Sequence, residues 1–456
     1  MSYLNKKYEI SKSPHKYDVI IAGGGTAGSI AGIAASRKRK STLIIDENSF
    51  LGGSSTGGQV TPMMSTNIPG NPVCSSISKE IQNRLIKAGH AGEDDSGNKG
   101  WFNPEYLKFI LEEMVKDENG DILYDTKIVD VMVDNDNIKG VIVYNKSGFK
   151  LIKGKVFVDG TGDAVIASKA GVPCVEGPQN EDYFPQKVSL RFMMGNVDMV
   201  NFKKFLNNIG KKQFNNSNLF HTAMVWNKGW ILEDIFKQGV EEGYLKYEDG
   251  QYFQVFSVPG MPGVLSFNCP EIPDPIDPFR DRDISYSYIK GRKMIKRLVK
   301  FLKKCIPGFK NSFILGVAPI LGVRESRRIK GRYWLTEKDY FKKSKFADAI
   351  ARTAYPLDIH GMEEEDLNFN LENKEGYMEI PFRSLIPQKI ENLLVAGRSI
   401  SSNFVIQSVL RIQPTCRATG EAAGLGAALA VNKELKVSKI EGRKIVTEMK
   451  KMGADI

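Results

Sequence analysis

The sequence predicts an α/β protein: a Rossmann-like domain with a β-meander insert, plus an α+β cap. Three observations carry that prediction. A short apolar run at 17–22 ends in a glycine-rich turn, and an alanine-rich segment and a second apolar run ending in Asp46 follow at once. Residues 122–159 become β-rich. The aromatic-rich middle, 173–379, gives way to another buried-strand signal at 393–397.

Each element follows in order. The run 17–22 reads as a buried parallel strand, 29–37 as a helix of small residues lying close against a sheet, and 41–46 as a second strand, which makes a βαβ unit. Residues 79–88 and 105–115 show helical spacing, the second with Asn103 as cap and Pro104 at the first helical position. The runs 128–133, 139–144 and 149–158 are separated by the polar stretches 134–137 and 145–148, a meander of three or more strands inserted in the nucleotide domain. The middle holds Trp226, Trp230 and Trp334 and proline-rich turns such as 258–263, and is expected to form the cap. Residues 414–430, crowded with alanine and glycine, form a helix that returns the tail to the first domain.

The 456 residues suggest two or three domains at ~150 residues each. With 41% hydrophobic and 26% charged residues, neither a disordered nor a collagen-like nor a membrane class fits. The 43 glycines exceed the ~7% of an average protein and cluster near both ends. The net charge is +11, but lysines alternate with acids, as in 338–345, so a solvated surface is expected rather than a nucleic-acid partner. Cys74, Cys174, Cys269, Cys305 and Cys416 form no C-x-x-C pair and no metal cluster, and His15, His90 and His221 lack companions at metal-ligand spacing. No metal is expected, and a reducing, cytoplasmic setting fits. Residues 1–16 lack a signal-peptide core, and no span approaches the ~20 apolar residues of a membrane helix, so no membrane insertion is expected.

Gly23-Gly24-Gly25-Thr26-Ala27-Gly28 is a G-x-G-x-x-G turn between a strand and a helix, with Asp46 and Glu47 at the end of the next strand. Gly23 permits the sharp turn, Gly25 lets a pyrophosphate approach the backbone, and Gly28 allows close helix packing. Asp46 would accept from a ribose hydroxyl. A purely structural glycine turn is the alternative. A second glycine-rich patch, 51–59, lies where a simple nicotinamide domain needs none.

At this point the sequence resembles the FAD-dependent oxidoreductase family whose nucleotide domain is of the glutathione-reductase type. The likeness runs through 18–28, 44–58, 156–171, 321–335 and 380–430. It implies FAD laid along a discontinuous domain, 1–172 and 380–456, beneath a cap at 173–379. Gly23, Gly25, Thr26, Ala27, Gly28, Asp46 and Glu47 would hold its nucleotide end. Gly53, Ser54, Gly57 and Gly58 would lie near the pyrophosphate and flavin side, and Val129 would touch adenine through its backbone. Gly160 and Asp163 belong to a segment re-entering beside the cofactor, and Gly397 and Arg398 to a second FAD segment. Arg398 departs from the acid common there. Gln413, Pro414 and Thr415 would open a helix aimed at the flavin pyrimidine edge, where free N–H groups stabilise negative charge. Only one complete dinucleotide fingerprint is present, so no dedicated NAD domain is expected, and the lack of C-x-x-C excludes the disulfide-reductase branch.

Substrate chemistry is sought in the cap. Read as a strand, 322–329 puts Arg324, Ser326 and Arg328 on one face, an arginine pair able to clamp an acidic substrate, with an interface ion-pair network as the alternative. In 355–360, period-two spacing places Asp358 beside His360, orienting the imidazole for proton transfer, with Tyr355 second. Cys416 is either a thiolate at a helix N-terminus or a small residue filling space, the latter favoured. The expectation is hydride transfer between flavin N5 and a small organic substrate, with a further electron donor or acceptor that the sequence does not identify. Two alternatives stand beside it: a flavoprotein acting on RNA, of the tRNA-modifying kind, and an FAD-binding electron-transfer subunit.

Overall fold

The computed structural model describes residues 9–94, 97–178, 185–210, 219–362 and 375–456. The first part of the chain forms β1 (Ile10–Ala22), α1 (Gly28–Arg37), β2 (Thr42–Ile45), α2 (Ser76–Lys87) and α3 (Pro104–Lys116), then β3 (Asp121–Leu123), β4 (Lys127–Asp134), β5 (Asn137–Asn145) and β6 (Gly148–Asp159). The middle adds β7 (Phe192–Gly195), β8 (His221–Met224), β9 (Phe253–Ser257), β10 (Leu265–Phe267), the long α4 (Asp281–Cys305) and β11 (Phe313–Val317). The last part holds β12 (Ala349–Thr353), β13 (Met378–Pro381), β14 (Leu393–Val395), α5 (Phe404–Leu410) and α6 (Gln413–Lys433).

Helix boundaries follow local chemistry. The Ser75 side chain accepts from Ser78 N, which starts α2 earlier than the apolar spacing alone suggests. Asn103 caps α3 by accepting from Glu105 N and Tyr106 N, with Pro104 at the first position as expected.

One seven-stranded sheet runs β3-β2-β1-β6-β5-β4, with β14 also on β6. The pairs β2–β3, β1–β2, β1–β6 and β6–β14 are parallel, and the meander β4-β5-β6 is antiparallel. The 12-residue β6 therefore belongs to both parts. Its end receives the C-terminal strand in register, Leu394 opposite Val158 and Val395 opposite Asp159. Residues 28–36 of α1 are buried, and α6 packs across them. Residues of the 335–380 stretch, including Leu335, Ile350, Ala351 and Ile380, share this same core.

The middle forms a second, antiparallel sheet in the order β8-β9-β10-β7-β11. Alternation divides its two faces. Phe192, Met194, Val255, Leu265 and Phe267 share a core with Leu298 and Phe301 of α4, and Phe192 stacks on Phe267 at 4.4 Å. The opposite face meets the loop after β2, where Ser266 Oγ donates to Gln59 O over 3.4 Å. The basic residues are less dispersed than expected. Arg292, Lys293, Lys296, Lys300, Lys303 and Lys304 are exposed on α4, and residues 284–305 contain no acid. No helix among the described residues is long and apolar enough to cross a membrane.

Candidate functional site

Five turns meet at the C-terminal edge of the parallel strands. β1 ends at Ala22, and Gly23, at φ +79°, reverses the chain in a conformation costly for a side-chain-bearing residue. A Cβ on Gly28 would lie 1.8 Å from Gly23 O, so helix and turn fit only without a side chain. Above Gly25 the space is open, since a Cβ there would meet only Gly160 O at 3.6 Å. Thr26 Oγ1 donates to Gly52 O (3.1 Å) and lies 3.1 Å from Ser54 Oγ and from Ser55 Oγ, latching the second glycine turn to the first. Gly58 N closes that turn on Gly53 O over 3.1 Å.

Asp46 ends β2. Its carboxylate accepts from Gly24 N (2.6 Å), Asn48 N (2.8 Å) and Asn48 Nδ2 (2.9 Å), while burial pushes its pKa up. Glu47 is exposed and 3.6 Å from Lys127 Nζ. Val129 sits where the β4–β5 register shifts, at a bulge between Ile128 and Asp130.

Opposite, Gly160 N donates to Ala22 O over 2.8 Å. Arg398 ties the 159–163 turn to the 323–326 loop: Nε donates to Gly162 O (2.7 Å), one terminal nitrogen pairs with Asp163 (2.7 Å), and the other reaches Val323 O. Ser326 Oγ also donates to Asp163, over 2.6 Å. Gly397 N donates to Thr419 Oγ1 (3.1 Å), joining the 396–399 turn to α6. At the start of α6, Gln413 accepts from Ser55 Oγ (2.9 Å) and donates to Val60 O (2.6 Å). Burial pushes the Cys416 thiol up to about 12, and Sγ lies 3.3 Å from Arg411 O, surroundings that favour the neutral thiol of the space-filling reading over a thiolate.

A buried chain of charges lies beside this helix start. His360 Nδ1 is 2.5 Å from Glu271 Oε1, and Nε2 is 3.2 Å from Asp358 Oδ1. Each carboxylate has its own arginine, Arg324 on Glu271 at 2.8 Å and Arg411 on Asp358 at 2.8 Å. Burial works against ionisation of Glu271, but Arg324 and His360 outweigh it and hold its pKa at about 2. Asp358 is likewise held well below its ordinary value, by Arg411 and His360 against burial. With a carboxylate at each ring nitrogen, both N–H groups donate only from the doubly protonated imidazole. The Tyr252 ring meets His360 edge-on at 5.3 Å. Tyr355, whose hydroxyl burial raises to about 12, feels both Asp358 and Arg411.

The strand reading of 322–329 needs correction: only Arg327–Ile329 is a strand. Arg324 leaves it for Glu271 and Lys187 O. Arg328 is fully buried against Glu325 (3.4 Å), Ser402 O (3.1 Å) and Gly177 O (2.6 Å). The two arginines therefore occupy separate networks rather than one shared face. The sequence reading missed Glu271, Arg411, Tyr252 and Arg191. Arg411 directly precedes the 412–420 motif and was open to notice, whereas nothing in the local pattern around Glu271 marks it.

Eight buried side-chain polar atoms among the described residues lack a partner, and five belong to the segments just described: Gln59, Ser399, Ser402, Arg411 and Thr415, with Gln186 and Arg191 on the stretch leading into β7. Native interiors leave few such atoms, so those gathered here are open to water or to polar groups from outside the chain.

Comparison with known proteins adds the family. A profile of the family described as FAD dependent oxidoreductase matches residues 18–449. Solved structures with a similar chain path include a flavoprotein/dehydrogenase from Cytophaga hutchinsonii (12% identity, covering 95% of this chain and 82% of that one, TM-score 0.48). A geranylgeranyl bacteriochlorophyll reductase-like protein from Thermoplasma acidophilum (12%, 96% and 83%, 0.47) and an L-proline dehydrogenase from P. horikoshii (13%, 96% and 99%, 0.44) are also similar.

Proposed function

This chain belongs to the FAD dependent oxidoreductase family and uses FAD, and from that premise we propose that it transfers a hydride between the flavin and a small organic substrate bound beneath the cap. The observation that carries the proposal is the Glu271–His360–Asp358 array, anchored through Arg411 next to the start of α6.

The residues present fit FAD. The open backbone over Gly25, with Thr26, Ala27 and Gly28 at the α1 N-terminus, suits a pyrophosphate. Asp46 and Glu47 suit the ribose, and the Val129 bulge leaves a backbone position for adenine. Gly53, Ser54, Gly57, Gly58, Gly160, Asp163, Gly397 and Arg398 would line the middle of the cofactor. Gln413, Pro414 and Thr415 would face the ring, where Thr415 Oγ1 and Gln59 Oε1 await partners. The parallel β3-β2-β1-β6 order with its meander supports the glutathione-reductase-type subtype. Our proposed division keeps 1–172 with 380–456 and a cap at 173–379, although part of the 335–359 stretch packs with the first core.

Bound FAD supplies a two-electron hydride acceptor or donor at N5. The chain supplies the rest. Reduction of the substrate consumes one proton with the hydride, and oxidation releases one. His360 gives or takes that proton while the remaining N–H stays on its carboxylate. Arg324 and Arg411 are positioning residues that hold Glu271 and Asp358 ionised. Arg328 fixes Glu325 and the 402 turn, and Tyr355 is a secondary proton source. The five free cysteines support a reducing cytoplasm.

An anaerobic screen of candidate donors and acceptors, followed by flavin bleaching and recovery, tests the reaction. His360→Gln, with FAD retained, is expected to slow flavin reduction or reoxidation by about 100-fold or more, and an unchanged rate removes His360 from the scheme. The exposed cations of α4 favour one second reading, a flavoprotein that acts on RNA. That reading predicts tRNA retention that falls steeply with salt.

A further inference from the structure

Arg191 stands apart from the other arginines of the site. Arg324, Arg328, Arg398 and Arg411 each have a carboxylate within 3.4 Å. Arg191 has none within 4.0 Å among the described residues, although it is only 4% exposed. Its guanidinium makes one hydrogen bond, to Thr61 O over 3.2 Å, and Nε has no partner. A cation removed from water without a counter-charge is costly, and burial, with the charge of Arg324 adding to it, pulls its pKa down to about 10, which still leaves it charged at neutral pH.

Its position gives this cost a use. Arg191 directly precedes β7, where Phe192 and Met194 point into the cap core, so alternation turns Arg191 to the face that meets the 59–61 loop. That loop also receives Gln413 at the start of α6, through Val60 O. Arg191 lies close enough to Arg324 to feel its charge, Arg324 in turn feels Arg411, and Lys187 acts on the same Glu271, so four cations face Glu271, Asp358 and, on Arg411, Glu325 among the described carboxylates. Arg417, also buried and without an ion pair among the described residues, bonds Ser78 on α2 instead and does not join this group.

We propose that Arg191 is the anion-recognising residue of the site and that the substrate carries a carboxylate, which Arg191 binds while the Glu271–His360–Asp358 array handles the proton. A guanidinium fork matches a carboxylate through two parallel hydrogen bonds and adds orientation to charge. This assignment rests on the flavoenzyme reading above and names its substrate class.

The test is a titration of the yellow, FAD-loaded protein with sodium benzoate and sodium propionate, followed by the visible flavin spectrum and by calorimetry. Benzamide serves as the uncharged control. At least one carboxylate should perturb the spectrum saturably and benzamide should not. Arg191→Gln should weaken that carboxylate by about tenfold or more, with Arg191→Lys between the two. If Arg191→Gln fails to retain FAD, the Arg191→Lys titration decides alone. No saturable carboxylate binding in the natural protein, equal binding of benzamide, or a variant indistinguishable from it would each overturn the assignment. So would a shifted flavin midpoint potential with unchanged carboxylate affinity, which would make the reduced flavin the anion served. A folded protein that stays colourless with added FAD defeats the parent reading instead, whereas a yellow protein indifferent to Arg191 defeats only this one.

Discussion

Glu271 is buried between a guanidinium and an imidazole, and its folded pKa of about 2 lies below its ordinary 4.5. A depressed carboxylate contributes stability that is complete above the unfolded value and is lost as pH falls through the folded one. The natural protein should therefore lose thermal stability as pH drops from about 4.5 towards about 2, and Glu271→Gln should flatten that limb while lowering Tm at neutral pH by stranding Arg324. Tm measured across that window checks both. At this scale the sequence was partly legible. Asp358 and His360 are two residues apart, and the expected pairing is present at 3.2 Å, although residues 354–359 form no strand. Glu271 comes from another part of the chain, and no local period links it to His360. The alternation that grouped Arg324 with Arg328 failed because only Arg327–Ile329 is a strand, so no period-two spacing reaches Arg324.

Among elements, the contact of α1 with α6 is a tight constraint. A Cβ on Gly420 would stand 2.2 Å from Ala27 O, and one on Gly424 would stand 2.2 Å from Ala31 O. Gly424→Ala must push the two helices apart and should cost about 1–3 kcal/mol, seen as a lower denaturant midpoint together with weaker FAD retention. Both helices were legible from their small residues and flanking apolar strands, because close helix packing has few compositional solutions. The cap was less so. Its sheet joins strands separated by long connections, and only the aromatic excess announced a second core. The basic face of α4 was hidden by reading charge along the chain, since helical spacing sorts the cations outward only once the helix is recognised.

For the whole molecule, β14 and α6 complete a sheet and a helix layer begun almost four hundred residues earlier. The return of the tail was readable, because the 393–397 run repeats the texture of 17–22, whereas the packing of the 335–380 stretch onto the first core was not. Removing residues 412–456 should therefore abolish FAD retention and solubility together, rather than leave a folded, flavin-free nucleotide domain. Absorbance at flavin wavelengths and the soluble fraction of the truncated chain check this.

The late arrival of β14 and α6 also bears on how the protein is made. A ribosome delivers the glycine turns and α1 long before α6, and the side of α1 that α6 covers stays bare until then. Throughout that interval the nascent polypeptide is a client for chaperones and proteases, and prosthetic-group capture waits for α6 to leave the exit tunnel.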